Sequence, residues 1–226
     1  SPSEPIQEID NKLCMEYVEE TLDDYIYGDE CNFLVAVNYI HQIVRAVNIL
    51  QKSGIVHRDL KPENVLIKIV QTQNMKKTKQ IKIIDFGESS LSRDQFNGNN
   101  LSQENLLGAT LPYSPLECYL TCEQGFNSKQ IDLWSVGMMA YEVFFKKNPV
   151  FYSRSFAGDI NRGWKIPDEF SIFPSLYRKD GIQIISLIFS ILSLNSVCIN
   201  QQERISLEKM ERILKEVEFF LNREKL

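Results

Sequence analysis

Eight consecutive residues, His57-Arg58-Asp59-Leu60-Lys61-Pro62-Glu63-Asn64, carry the densest set of reactive side-chain types in this sequence. They combine an imidazole, two cations, two carboxylates and a carboxamide. A further carboxylate, Asp85, follows Asp59 by 26 positions, in Asp85-Phe86-Gly87 behind the apolar run Ile81 to Ile84. Asn64 and Asp85 offer the hard oxygen donors that Mg²⁺ prefers. Taken singly, an Asp or Asn is most often a cap or turn residue. As a set, they are poorly explained as caps and turns.

Several elements must position these groups. Leu13 to Val18 is an apolar run that predicts a buried strand, followed by a polar break at Glu19-Glu20-Thr21. Phe33, Val37, Ile40, Val44 and Val47 recur at helical spacing, so they share one helix face. That helix should stop at Gly54, since glycine readily takes the left-handed C-terminal cap. Ile55-Val56, Val65-Leu66-Ile67 and Ile81 to Ile84 are short β-like runs. The last two flank a polar insert, Gln71 to Gln80. Its Lys76-Lys77-Thr78-Lys79 cluster is expected at a solvated hairpin tip. Residues 88–108 are polar, and a loop that long is usually functional or mobile. Helical patterning dominates from about Ser128: 129–145, 182–194 and 206–222.

The 226 residues suffice for one large domain, and no Pro/Gly/Ser-rich linker divides them. With 43% hydrophobic and 24% charged residues, the composition is that of a soluble globular protein and excludes disordered classes. The 25 Lys+Arg against 30 Asp+Glu leave a net charge of −5, which argues against a nucleic-acid-binding surface. Cys14, Cys31, Cys118, Cys122 and Cys198 are odd in number and scattered. They read as reduced thiols of an intracellular, cytoplasmic or nuclear protein. The N-terminus lacks signal-peptide features, and 182–194 is too short for a membrane span. His41 is expected at the surface.

The string His57 to Asn64 resembles the catalytic loop of protein kinases. Asp85-Phe86-Gly87 and Asp132-Leu133-Trp134-Ser135-Val136-Gly137 are similar to two further signatures of that family, in the same order. Lys61-Pro62-Glu63 is the pattern of its Ser/Thr branch. The resemblance implies a mainly α (α+β) fold: a protein-kinase-like C-lobe helical bundle, with short β-hairpins at the active-site edge. It implies ATP-dependent phosphoryl transfer to Ser/Thr hydroxyls of protein substrates, with Mg²⁺. Asp59 would accept the hydroxyl proton. Lys61 would neutralise charge on the moving phosphoryl group, and Thr110 would bond both. Asn64 and Asp85 would hold the metal.

In the same comparison Met15-Glu16-Tyr17-Val18 resembles the hinge. The backbone of Glu16 and Val18 would face adenine, Leu66 would pack under the ring, and Tyr17 would be structural. His57 and Phe86 would join a stacked column. Arg58 would pair with a phosphate on the 88–108 segment, for which Ser102 is the choice. Glu117 would meet Arg204 in a buried pair, and Asp132 would begin the central helix. Two positions depart from the pattern: Ala-Pro-Glu reads Pro115-Leu116-Glu117, and Ala109 replaces a glycine.

The small lobe's Gly-x-Gly-x-x-Gly loop and Val-Ala-Ile-Lys strand have no counterpart in these residues. The expected organisation is therefore a partial kinase domain over 1–226. Residues 1–18 would be a remnant of the small lobe and hinge, and 19–226 the large C-lobe. By itself such a lobe would be very weakly active. The alternative is a non-catalytic, stand-alone kinase-like lobe that binds proteins.

Overall fold

The computed structural model describes residues 8–9, 12–13, 15–28, 33–71, 77–91, 110, 113–115, 118, 129–145 and 204–223. Among the described residues, three long helices carry the core. They are α2 (Phe33–Lys52), α3 (Lys129–Phe145) and α4 (Leu207–Arg223), with the six-residue α1 (Leu22–Tyr27) at one side. In α2, Val37, Ile40, Ile43, Val44 and Val47 are buried, and this face meets α3 and α4. Val and Ile are modest helix formers. Their burial against two other helices stabilises α2 more than propensity does, at roughly 1.5–3 kcal/mol per buried large aliphatic side chain.

The other two helices differ in kind. α3 is buried on nearly every side, from Ile131 to Ala140, which makes it the central element. An all-round apolar helix belongs inside a protein. α4 is amphipathic: Leu207, Met210, Leu214 and Val217 face inward, and its charged residues face out.

α2 ends as its sequence predicts. Gly54 sits at φ 80°, in the left-handed region, and its N–H donates to Gln51 O at 3.1 Å. Gly54→Ala is expected to cost about 1–2 kcal/mol, because Cβ then meets the carbonyl oxygen in that conformation. A lower denaturant midpoint at unchanged slope would report it.

The β structure among the described residues is small. β5 (Val65–Gln71) and β6 (Lys77–Ile83) form an antiparallel hairpin registered from Val65↔Ile83 to Gln71↔Lys77. β3 (Glu20–Thr21) pairs on the far side of β5, with Glu20↔Ile67 and Thr21↔Leu66. β4 (Ile55–Val56) pairs with β7 (Ser90–Leu91), and β1 (Glu8–Ile9) with β2 (Lys12–Leu13). The inner face of the hairpin, Val65, Ile67, Ile81 and Ile83, packs on the helical core. Gln42 of α2 staples the edge, accepting from Ile81 N at 3.0 Å.

Four expectations need correction. No strand spans 13–18: residues 15–19 are irregular, and Met15 and Tyr17 are 74% and 85% exposed, so nothing packs over them. Tyr17 is therefore not a structural anchor. The polar break at 19–21 is instead an element boundary. Thr21 caps α1 in a reciprocal capping box with Asp24, two orphan backbone donors being satisfied at once. The described residues of the polar insert, Gln71 and 77–80, are strand, because cross-strand pairing continues to Gln71↔Lys77. Lys79 is thus not at a loop tip; it bonds Glu20 at 3.4 Å and lies over the Tyr25 ring. His41 is partly buried between α2 and α4, its Nδ1 2.7 Å from Glu218 Oε2. The predicted helix at 182–194 lies outside the described residues.

Candidate active site

The strand β4 delivers the chain into an extended loop, 57–61, before a single 3-10 turn, Pro62–Asn64, begins β5. Proline at the start of that turn has a preset φ and no N–H to leave orphaned. Arg58 adopts φ 72°, a left-handed backbone that costs a non-glycine residue energy. Asp132, at the start of α3, offsets it. Its wholly buried carboxylate accepts from His57 N (Oδ2, 2.9 Å) and Arg58 N (Oδ1, 2.9 Å). Burial pushes this carboxyl up to about 6, while the two N–H bonds hold it down.

The side chains then converge on Asp59. Lys61 Nζ lies 2.8 Å from Asp59 Oδ2 and 3.2 Å from Thr110 Oγ1. The Thr110 hydroxyl donates to Asp59 Oδ1 at 2.8 Å. Asn64 Nδ2 donates to Asp59 O at 2.8 Å and to Oδ2 at 3.1 Å. Asp59 is buried at 8% exposure, so these bonds form where water screens little. One carboxylate is thereby held by an ammonium, a hydroxyl and a carboxamide. Such a group can accept a proton from an incoming hydroxyl, with the cation beside it for the displaced charge.

Asp85 approaches from β6. Ile84 N donates to Asn64 O at 3.0 Å, which sets Asp85 one residue from the Asn64 backbone. Asp85 is exposed, at φ 63°, and its Oδ1 accepts from Gly87 N at 3.3 Å. Asn64 uses its amide nitrogen inward, which leaves its amide oxygen as an acceptor. An oxygen-only pair of this kind fits Mg²⁺, which takes few protein ligands and fills the rest with water and phosphate. Among the described residues, no cluster of three or more His, Cys, Asp or Glu offers a different metal site.

His57 is a packed residue here. Its Nδ1 lies 3.3 Å from Asp59 N and its Nε2 2.9 Å from Ile84 O. Both ring nitrogens thus face backbone groups of the site's own segments. The Phe86 ring lies beside it, centroids 4.8 Å apart, with Phe86 itself 43% exposed. Arg204 is buried, donates to Gln130 O at 3.1 Å, and stands over the Trp134 ring. Glu117 and Ser102 lie outside the described residues, as does Ala109. Cys118, the cysteine described, is buried.

The proposed nucleotide edge is less enclosed. Glu16 bridges Lys68 and Lys82 of the hairpin; Lys82 Nζ is 2.8 Å from Oε2, and Lys68 bonds Oε1. Those two bonds lower the Glu16 carboxyl to about 2. Val18 and Leu66 are half-buried.

Sequence reading missed Glu142. It is buried in α3, and both carboxylate oxygens accept from tyrosines: Tyr27 OH at 2.7 Å and Tyr113 OH. Burial pushes Glu142 and Tyr113 up in pKa, the two hydroxyl bonds opposing this at Glu142. The trio ties α1, α3 and residues 113–115 together. The available signal was one glutamate inside an otherwise apolar stretch, Val136 to Phe145.

Residues 7–217 match the family described as protein kinase domain. The chain is 29% identical over 189 residues to citron rho-interacting kinase of Rattus norvegicus, covering 80% of this chain and 8% of that protein. It is 31% identical over 162 residues to an Aurora kinase of Candida glabrata, covering 69% of this chain and 37% of the relative. The chain thus spans less than half the length of either relative. The fold is similar to a crystal structure of the Rad53 kinase domain and SCD2, with a TM-score of 0.61, 20% identity, and coverage of 90% of this chain and 64% of that one. The family match runs through the converged loop, the Asp85 turn and the central helix alike: the chain belongs to the protein kinase domain family.

Proposed function

We propose that this chain transfers the γ-phosphate of ATP to serine or threonine hydroxyls of proteins. The convergence of Lys61, Thr110 and Asn64 on the Asp59 carboxylate carries this reading. In the reaction the substrate hydroxyl oxygen bonds to the γ-phosphorus as its bond to the ADP oxygen breaks. Asp59 takes the hydroxyl proton. Lys61 neutralises charge on the phosphoryl oxygens, and Thr110 orients both Asp59 and Lys61. Phosphoryl transfer needs little covalent help, so positioned charge is the main contribution. Asn64 and Asp85 would hold Mg²⁺, which supplies neutralisation of the phosphate oxygens.

Backbone groups of Glu16 and Val18 would meet the adenine edge, with Leu66 beneath the ring. His57 and Phe86 would shape the wall behind Asp85. Arg58 would pair with a phosphate on the 88–108 segment, Ser102 being the proposed acceptor, and Arg204 with Glu117. In this reading residues 1–18 belong to the hinge side and 19–226 to the large lobe. An ATP-consuming transferase of this kind works inside the cell, in cytoplasm or nucleus. No helix among the described residues is long and apolar enough to cross a membrane.

The test is transfer of labelled γ-phosphate by the full-length protein to a mixed protein substrate, followed by phosphoamino-acid analysis. Phosphoserine and phosphothreonine are expected. Label on tyrosine alone, or none, would overturn the reading. Thr110→Ala is expected to lower kcat about 10- to 100-fold, since one charge-assisted bond to the reacting carboxylate is lost. Thr110→Ser should retain most activity.

A further inference from the structure

The irregular segment 15–19 is tied to the hairpin at two places, and both bracket the same residue. At one end Thr21 pairs with Leu66 through the β3–β5 ladder. At the other, the Glu16 carboxylate takes one lysine on each oxygen, Lys68 on Oε1 and Lys82 on Oε2. The register decides what this means. Lys82 stands directly across from Leu66, and Lys68 follows Leu66 by two positions on the same strand. Successive side chains alternate between faces, so Leu66, Lys68 and Lys82 share the outer face of the hairpin. Two lysines so placed repel each other, and the shared carboxylate is what neutralises them. Residues 16–21 therefore form a short arch fixed at both ends to the hairpin that carries Leu66. A backbone ladder holds one foot, and ion pairs hold the other.

We infer that Lys68 and Lys82 are positioning residues for nucleotide: they hold the Glu16 end of the arch in place on the hairpin that carries Leu66. They act through Glu16 and need not touch the ligand. The inference rests on the adenine edge lying between residues 16–18 and Leu66, as proposed above. Exposed ion pairs contribute modestly. The expected effect is accordingly a change in nucleotide affinity rather than in chemistry.

The experiment uses the full-length protein and the double variant Lys68→Met/Lys82→Met. Met keeps the stem length and removes the charges. ATP KM and the directly titrated Kd for ATP are expected to rise about threefold to tenfold. At saturating ATP, kcat and the KM for peptide substrate should hold. Without nucleotide, backbone amides at 16–19 should exchange faster with solvent than in the wild type. The charge-reversed triple variant Glu16→Lys/Lys68→Glu/Lys82→Glu rebuilds the clamp with opposite sign and should recover most of the affinity. A purely structural role would lower the melting temperature and would not separate KM from kcat. If the wild type transfers phosphate while the double variant keeps its ATP affinity and its exchange at 16–19, the clamp inference is overturned and the kinase reading stands. If the wild type neither binds ATP nor transfers phosphate, the functional reading fails and this one falls with it.

Discussion

Asp59→Asn is expected to lower kcat about 10²–10⁴-fold, the range that a positioned proton acceptor contributes. The substitution keeps side-chain volume and one oxygen, so Thr110 can still donate to Oδ1 and the loop retains its shape. What is lost is the charge and the basicity. Lys61 Nζ, 2.8 Å from Oδ2 in the native loop, would then face a neutral amide. Binding should change far less than turnover, because neither the hairpin nor residues 16–21 touch this change. Single-turnover kinetics at saturating Mg-ATP, with ATP affinity measured in parallel, separate the two. A variant that kept kcat within a few-fold would remove Asp59 from the reaction. It would also leave the convergence around it without a chemical purpose.

Asp132→Ala should be the most damaging substitution to the fold of this site. It leaves the N–H groups of His57 and Arg58 facing a void at the buried start of α3. Each unsatisfied buried donor costs about 1–3 kcal/mol, so about 2–6 kcal/mol is expected in total. In a chain of this size that lowers Tm by roughly 5–20 °C. Arg58 is the reason the loss should spread. Its φ of 72° persists only while the surroundings enforce it. Once released, the loop relaxes and Asp59 moves away from Thr110. Asp132→Asn, which keeps one acceptor, should fall between Ala and wild type. Thermal melting alongside kcat tests this: stability and turnover should decline together. An Ala variant as stable as the wild type would show that the loop does not need this anchor.

These two residues illustrate how unevenly the site could be read from sequence. Asp59, Asn64 and Asp85 stand in dense local strings, and residue type alone suggests oxygen chemistry. Thr110 was expected only through the family resemblance, and it does lie against Asp59 and Lys61. The buried acceptor Glu142 went unremarked because its partners, Tyr27 and Tyr113, are 115 and 29 positions away. Lone glutamates in apolar helices carry no label for what they bond. The strand predicted over 13–18 failed for a related reason. Apolar runs predict burial, and only a partner can supply it; Met15 and Tyr17 have none over them. Within the Lys76-Lys77-Thr78-Lys79 cluster, Lys79 lies inside the ladder rather than at its tip, because composition does not reveal where cross-strand pairing stops.

From residue order alone came the periodic elements and the local chemistry. Helix α2 and its glycine stop, the hairpin strands, α3, α4 and the acids at 59 and 85 all depend on neighbours within a few positions. Periodicity and turn preference are properties of such neighbours. Tertiary structure alone decided the bonds between distant segments. It set Asp132 under the backbone of residues 57 and 58, Thr110 against Asp59, and Glu16 across Lys68 and Lys82. Those contacts depend on how the helices and the hairpin pack. Packing is a sum over the whole chain that no single window of sequence contains.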